Sequence, residues 1–159
     1  MISFLKKTTP LLIISLLAIP NLMGQGFSPL GTWKTVDDKS GETKSHIEIY
    51  TGRDGKIYGK VVKLYQSDGD TITCYKCQPD DPRFKKRVIG MVLMKGLEQE
   101  DDTRWGEGEI MDPDNGETYG CYIEQAEADD PNKLRVRGFI KTWLTGSALG
   151  RTQYWYRVE

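Results

Sequence analysis

The chain has 159 residues with 22 Lys or Arg against 23 Asp or Glu, 38% hydrophobic side chains, four Trp, eight Tyr and four Phe. The length suits one ordinary domain. The near-neutral, interleaved charge forms no basic stripe, so recognition of a nucleic-acid backbone is not expected. Seventeen glycines and the aromatic content favour strands and tight turns over helices.

The chain opens with a positive pair, Lys6 and Lys7, followed by the apolar run Leu11–Ile19, then Pro20 and the small or polar residues Gly24, Gln25 and Gly26. Charged, apolar and then small is the layout of a cleavable secretory leader. Residues 1–24 are therefore expected to be a signal peptide, cut near Gly24–Gly26, and residues 25–159 a single periplasmic or otherwise secreted domain. The apolar run is shorter than the roughly 20 residues that span a bilayer, so no stable transmembrane anchor is expected. No cysteine near the cut offers a lipid attachment point. Losing the leader removes two lysines and no acid, leaving a net charge of about −3.

Beyond the leader no apolar 3.6-residue period persists. Short alternating segments separated by turn residues predict an all-β domain. Strands are expected at Gly31–Val36, at Lys44–Tyr50 with Ile47 and Ile49 on one face and His46, Glu48 and Tyr50 on the other, and at Lys56–Tyr65 after the Asp54-Gly55 turn. A long loop, about Gln66–Lys86, carries Cys74 and Cys77. Arg87–Lys95, apolar on both faces, reads as a buried fourth strand. The fifth is expected at Trp105–Met111. The Asp112-Pro-Asp-Asn-Gly116 turn leads to a sixth at Glu117–Glu124, followed by a seventh at Lys133–Ile140 and an eighth at Gly150–Val158. Gly59, Gly90 and Gly138 interrupt strands and are expected at bulges or bends.

Eight strands joined by mostly hairpin-length loops predict an antiparallel up-and-down meander. Pairing of the first strand with the last would remove both edges, so an eight-stranded barrel is expected, its interior filled by side chains or holding one small ligand. A two-sheet β-sandwich is the alternative.

Gly31-Thr-Trp33 on the first strand, with Arg151 or Arg157 on the last, resembles the calycin signature of lipocalins, fatty-acid-binding proteins and avidins. The resemblance implies a structural plug in which Trp33 packs under one of those arginines, by guanidinium stacking on an indole face. The stretches GTWKTVDDKSGETKSHIEIY, DGKIYGKVVKL, CYKC, VIGMVLMKGL, GEIMDPDNGETYGCYI, KLRVRGFI and GRTQYWYRV, in that order to the chain end, resemble the bacterial secreted family of unknown function DUF2147. This likeness implies a lipocalin-like barrel in the bacterial envelope, without an assigned activity.

Three cysteines, Cys74, Cys77 and Cys121, can carry chemistry. After export an oxidised pair is the default, either Cys74–Cys77 or a bridge from that loop to Cys121. A dithiol redox centre would need an activated thiolate. A three-thiolate zinc or copper(I) site would lack a fourth ligand, and no metal site is expected. His46, the single histidine, shares a strand face with Glu48, a pair too small for a catalytic constellation. Asp112 reads first as a turn former. No nucleophile elbow, P-loop or dinucleotide fingerprint is present, so neither an enzyme activity nor a cofactor is expected.

Tyr58, Tyr119, Tyr154 and Trp155 are candidate ligand-binding aromatics. The leading expectation is a non-enzymatic binder of a small apolar or amphipathic molecule, with an internal cavity of a few hundred cubic ångströms. One rival is a filled barrel acting as an interaction module, with an exposed apolar patch around Trp143 or Trp105. A second is a thiol or metal site, which requires Cys121 close to Cys74 or Cys77. No protein partner is legible.

Overall fold

The computed structural model describes residues 26–65, 72–142 and 146–158. The expected leader and the Trp143–Leu144 segment lie outside the described residues. Eight strands follow one another: β1 (Gly31–Val36), β2 (Thr43–Thr51), β3 (Ile57–Leu64), β4 (Val92–Gln99), β5 (Arg104–Asp112), β6 (Glu117–Glu127), β7 (Asp130–Thr142) and β8 (Gly146–Arg157). Each is antiparallel to the next, and β8 returns to β1 through Trp33 opposite Arg157 and Lys34 opposite Tyr156. The result is a closed barrel in sequence order, without a sheet edge. Closure decides against the sandwich, because a meander is saturated only when its two outer strands find each other.

The wall obeys the period of two that places alternate side chains inside. Trp33 and Thr35 of β1, Ile47 and Ile49 of β2, and Ile57, Gly59 and Val61 of β3 are all buried. On β7 and β8 the inward set includes Leu134, Val136 and Trp155. These residues join Met94, Leu97, Cys121 and Ile123 in the main core.

The glycines divide by role. Gly59 sits where the β3–β4 register slips, and Ile57 opposes Leu97 while Gly59 opposes Met94. That extra β4 residue is a bulge, which bends the strand as barrel curvature requires. Gly90 is not in a strand. Its φ is 86°, a backbone state that glycine adopts without strain, and it turns residues 88–91 back so that its N–H donates to Val61 O at 2.8 Å. Strand β4 consequently begins at Val92 and not at the expected Arg87. Gly138 makes no bulge: its pairings with Cys121 and Arg151 run in register.

A smaller core lies against β4 and β5, formed by Cys74, Cys77, Met91 and Met111 with Phe84 and Leu93 packed on it. Residues 72–91 build it. Thr73 bridges to Arg87, Cys74 N–H donates to Lys86 O, and Lys85 N–H donates to Cys74 O. The Cys74–Cys77 disulfide closes the segment over the β5–β6 turn. At that turn Gly116 has φ +78°, and a Cβ there would lie 1.7 Å from Lys76 O, so both backbone angle and space demand glycine.

Candidate ligand cavity

One end of the barrel is shut. Trp33 is fully buried, and its Nε1–H donates to Pro29 O at 2.7 Å. The Arg157 guanidinium lies 4.2 Å from the Trp33 ring centroid and donates to Leu30 O at 2.8 Å and Ser28 O at 2.7 Å. Gly31 is part of the same device: its φ is +120°, and a Cβ would meet Arg157 Nη1 at 2.9 Å. Phe27 packs on Trp105 with ring centroids 5.9 Å apart. Of the two arginines on the last strand, Arg157 stacks on the plug tryptophan. Arg151 lies two rungs past Gln153 toward the other end and pairs with Asp38, because the seam sets Trp33 directly opposite Arg157.

The opposite end is open and leads into a cavity of about 420 Å³. Its walls are mainly apolar, including Ile47, Val61, Val88, Ile110, Val136 and Trp155. Inside, the Thr35 and Ser45 hydroxyls hydrogen-bond each other at 2.8 Å. Along β8 the inward residues Leu149, Arg151, Gln153 and Trp155 run from mouth to floor, facing Ile140, Gly138, Val136 and Leu134 of β7. Ile140 and Leu149, side-by-side partners on β7 and β8 at the mouth, are 48% and 66% exposed and form an apolar lip.

The rim is ionic and acid-rich. Lys44 Nζ pairs with Asp114 at 3.0 Å, and Arg151 pairs with Asp38. The hydrogen bond that Arg151 donates to Asp38, with the charges of Asp38, Asp112 and Asp37, outweighs the opposing effect of burial and raises the guanidinium pKa above its ordinary value. Asp112 accepts from Asp114 N–H at 2.9 Å and so shapes the turn. Asn115 Nδ2 donates to Tyr119 OH at 2.9 Å, fixing that phenol on the rim.

The four candidate aromatics separate by strand parity. Tyr119 and Trp155 line the cavity. Tyr58 alternates with the buried Ile57 and Gly59, faces outward, stacks on Tyr50 with centroids 5.9 Å apart and donates to Asp54 at 2.7 Å. Tyr154 is 43% exposed and lies under Lys133 Nζ, 5.1 Å from its centroid. Residues adjacent in a strand point to opposite faces, so Tyr154 and Trp155 cannot serve one interior. Thr35, Ser45 and Gln153 line the cavity and were not singled out from sequence; their parity with Trp33, Ile47 and Trp155 was the available signal.

The cysteines also separate. Cys74 and Cys77 are bonded to each other in the outer core. Cys121 is unbonded in the main core, where burial pushes its thiol pKa up to about 12. With Cys74 and Cys77 bonded to each other in one core and Cys121 in the other, a bridge or a three-sulfur site joining Cys121 to the loop is set aside. Among the described residues no group of three His, Cys, Asp or Glu side chains could hold a metal ion. His46 and Glu48 are engaged separately on the outer wall: His46 Nε2 meets Tyr65 OH at 3.1 Å, and Glu48 pairs with Lys60 at 2.9 Å. Trp105, the described half of the expected apolar patch, is 6% exposed.

A closed eight-stranded meander with an indole–guanidinium plug at one end and an open interior at the other is a lipocalin-like barrel. The solved structure of HP1028 from the human pathogen Helicobacter pylori, described as belonging to the lipocalin family, superposes with a TM-score of 0.66. The match covers 83% of this chain and 84% of that one at 18% identity, a likeness of fold. The chain belongs to the DUF2147 family, uncharacterised proteins conserved in bacteria, whose model matches residues 31–157. No curated protein matches it. Among the described residues no helix is long and apolar enough to cross a membrane.

Proposed function

We propose that this protein is a secreted, non-enzymatic binder that takes a small apolar or amphipathic molecule into its barrel. In this reading residues 1–24 are a leader removed near Gly24–Gly26, and residues 25–159 act in the bacterial envelope. The observation that carries the proposal is the cavity of about 420 Å³, apolar in its walls and open at one end. Its volume falls within the range typical of small-molecule sites. The exposed Ile140–Leu149 lip supports entry of an apolar ligand, since such side chains at an entrance attract apolar surface. The rival filled barrel is disfavoured by the same cavity.

Gly138 supplies the test. It lines the cavity, and a Cβ there would meet Ile110 at 3.5 Å and Tyr119 at 3.7 Å, ordinary contacts. The backbone at Gly138 therefore accepts a Cβ without a clash, and Gly138→Leu adds a bulky side chain to the cavity wall. Wild-type protein should bind N-phenyl-1-naphthylamine saturably with enhanced fluorescence, and the variant should bind about tenfold more weakly, a difference of ~1.4 kcal/mol. Circular dichroism should report the same β fold for both. Saturable binding that the leucine leaves unchanged, or no binding by wild type, would sink the cavity as the functional site.

A further inference from the structure

Below the ionic rim, three uncharged polar side chains line an otherwise apolar interior: Thr35, Ser45 and Gln153. They stand on β1, β2 and β8, which are consecutive around the closed barrel, so they form one polar strip. Strands β3, β4, β5 and β7 complete the wall with Val61, Leu64, Leu93, Ile110 and Val136. Each polar residue faces inward by strand parity. Thr35 shares a face with the buried Trp33, Ser45 with Ile47, and Gln153 with Trp155. Ser45 and Gln153 are nevertheless only half-buried. The surface they keep is therefore turned to the space they line.

The strip has hydrogen-bonding capacity to spare. A hydroxyl carries one hydrogen and two lone pairs. The Thr35–Ser45 bond, 2.8 Å long, uses one of the pair's two hydrogens, which leaves one O–H and several lone pairs uncommitted by it. The Gln153 amide adds a carbonyl acceptor and two N–H donors. The strip can thus both give and accept. A ketone or an ether would use only its donors, whereas a hydroxyl uses both kinds. An ion of either sign is a poor match, because Thr35, Ser45 and Gln153 offer it no counter-charge. The cationic residues lining the cavity, Lys44 and Arg151, are each paired with an aspartate at the rim. Burying a charge without a partner is strongly unfavourable.

We propose that the cavity selects a neutral, mostly apolar molecule bearing a hydroxyl group, which Thr35, Ser45 and Gln153 hold by giving and accepting hydrogen bonds. This rests on the barrel being a small-molecule binder, and names the ligand class of that same site.

Four probes on one skeleton test it: 2-naphthalenemethanol, 2-ethylnaphthalene, 2-naphthylmethylammonium and 2-naphthoate offer a hydroxyl, no polar group, a cation and an anion. Each competes with N-phenyl-1-naphthylamine for wild-type protein and for the double variant Thr35→Val, Ser45→Ala. Removing both hydroxyls together at nearly constant shape is close to neutral for folding. The affinity ratio of alcohol to hydrocarbon should fall about 3- to 10-fold in the variant, the span of one net hydrogen bond. 2-Ethylnaphthalene itself should stay within about twofold. Gln153→Leu should lower the same ratio, and it carries the test if the double variant does not fold. In ¹H–¹⁵N spectra of the wild type, the Gln153 side-chain amide protons should move downfield with the alcohol and not with the hydrocarbon. A ratio unchanged in both variants would overturn the hydroxyl subsite and leave the binding function standing. Tightest binding by either ion would overturn the requirement for neutrality. Failure of all four probes and of the reporter dye would instead remove the binding function itself.

Discussion

Arg157 does the work of several residues at the closed end. Its planar guanidinium stacks on Trp33 and donates to the carbonyls of Leu30 and Ser28, tying the segment before β1 to the last strand. A lysine would keep the charge but lose both the stack and the forked donors. Arg157→Lys should therefore lose about 1–3 kcal/mol of unfolding free energy, measured in urea at unchanged m-value; a loss below ~0.3 kcal/mol would refute the plug as a stabilising unit. At this scale the sequence was half legible. Gly31-Thr-Trp33 marked the plug, but two arginines on one strand face matched it equally. Only the β1–β8 register, Trp33 opposite Arg157, distinguishes them.

The element whose behaviour separates most clearly from the barrel is the segment 72–91. Its disulfide closes a very short loop, for which chain entropy supplies only about 2 kcal/mol, and its side chains pack outside the strands on Met111. Reduction should loosen this segment while the barrel remains folded, which hydrogen exchange can localise to residues 72–91. A thiol reagent provides the matching count. The native oxidised protein should show no fast-reacting thiol, since Cys121 is buried with its thiol pKa at about 12, and one thiol should appear on unfolding. Fast modification of the native protein would contradict the inward placement of Cys121. The CxxC spacing left the pairing open in the sequence, because both a local bridge and a bridge to Cys121 satisfied it. The decision lies in strand parity, which turns Cys121 into the barrel while Cys74 and Cys77 lie outside.

For the molecule as a whole, acid stability is governed by groups whose pKa values folding lowers. Burial, then the charges of Lys63 and Lys34, hold the His46 imidazole below its usual 6.5. The unfolded chain takes up that proton first, so stability is full above pH 6.5 and falls as the pH drops through the folded value. Asp81 is held down to about 2 by the side-chain hydrogen bond of Arg83, then by the Arg83 backbone N–H. Its contribution is present above pH 3.8 and is lost between 3.8 and about 2. The melting temperature should decline in two steps on acidification, the first below pH 6.5 and the second below pH 3.8. His46→Gln should flatten that first step and leave the second. A melting temperature that rises between pH 7 and 5 would show the sign to be wrong.

The sequence by itself determined the class of fold and most strand positions, because a period of two and turn residues are local properties of the chain. It also carried the family likeness through seven ordered stretches. Closure of the barrel, the identity of the plugging arginine, the cysteine pairing and the presence of an interior space were decided only by tertiary structure. Each depends on which distant residues face one another. Tyr154 and Trp155 illustrate the boundary: composition offers both as ligand-binding aromatics, and the pleat of β8 sends one to the outer surface and the other to the cavity wall.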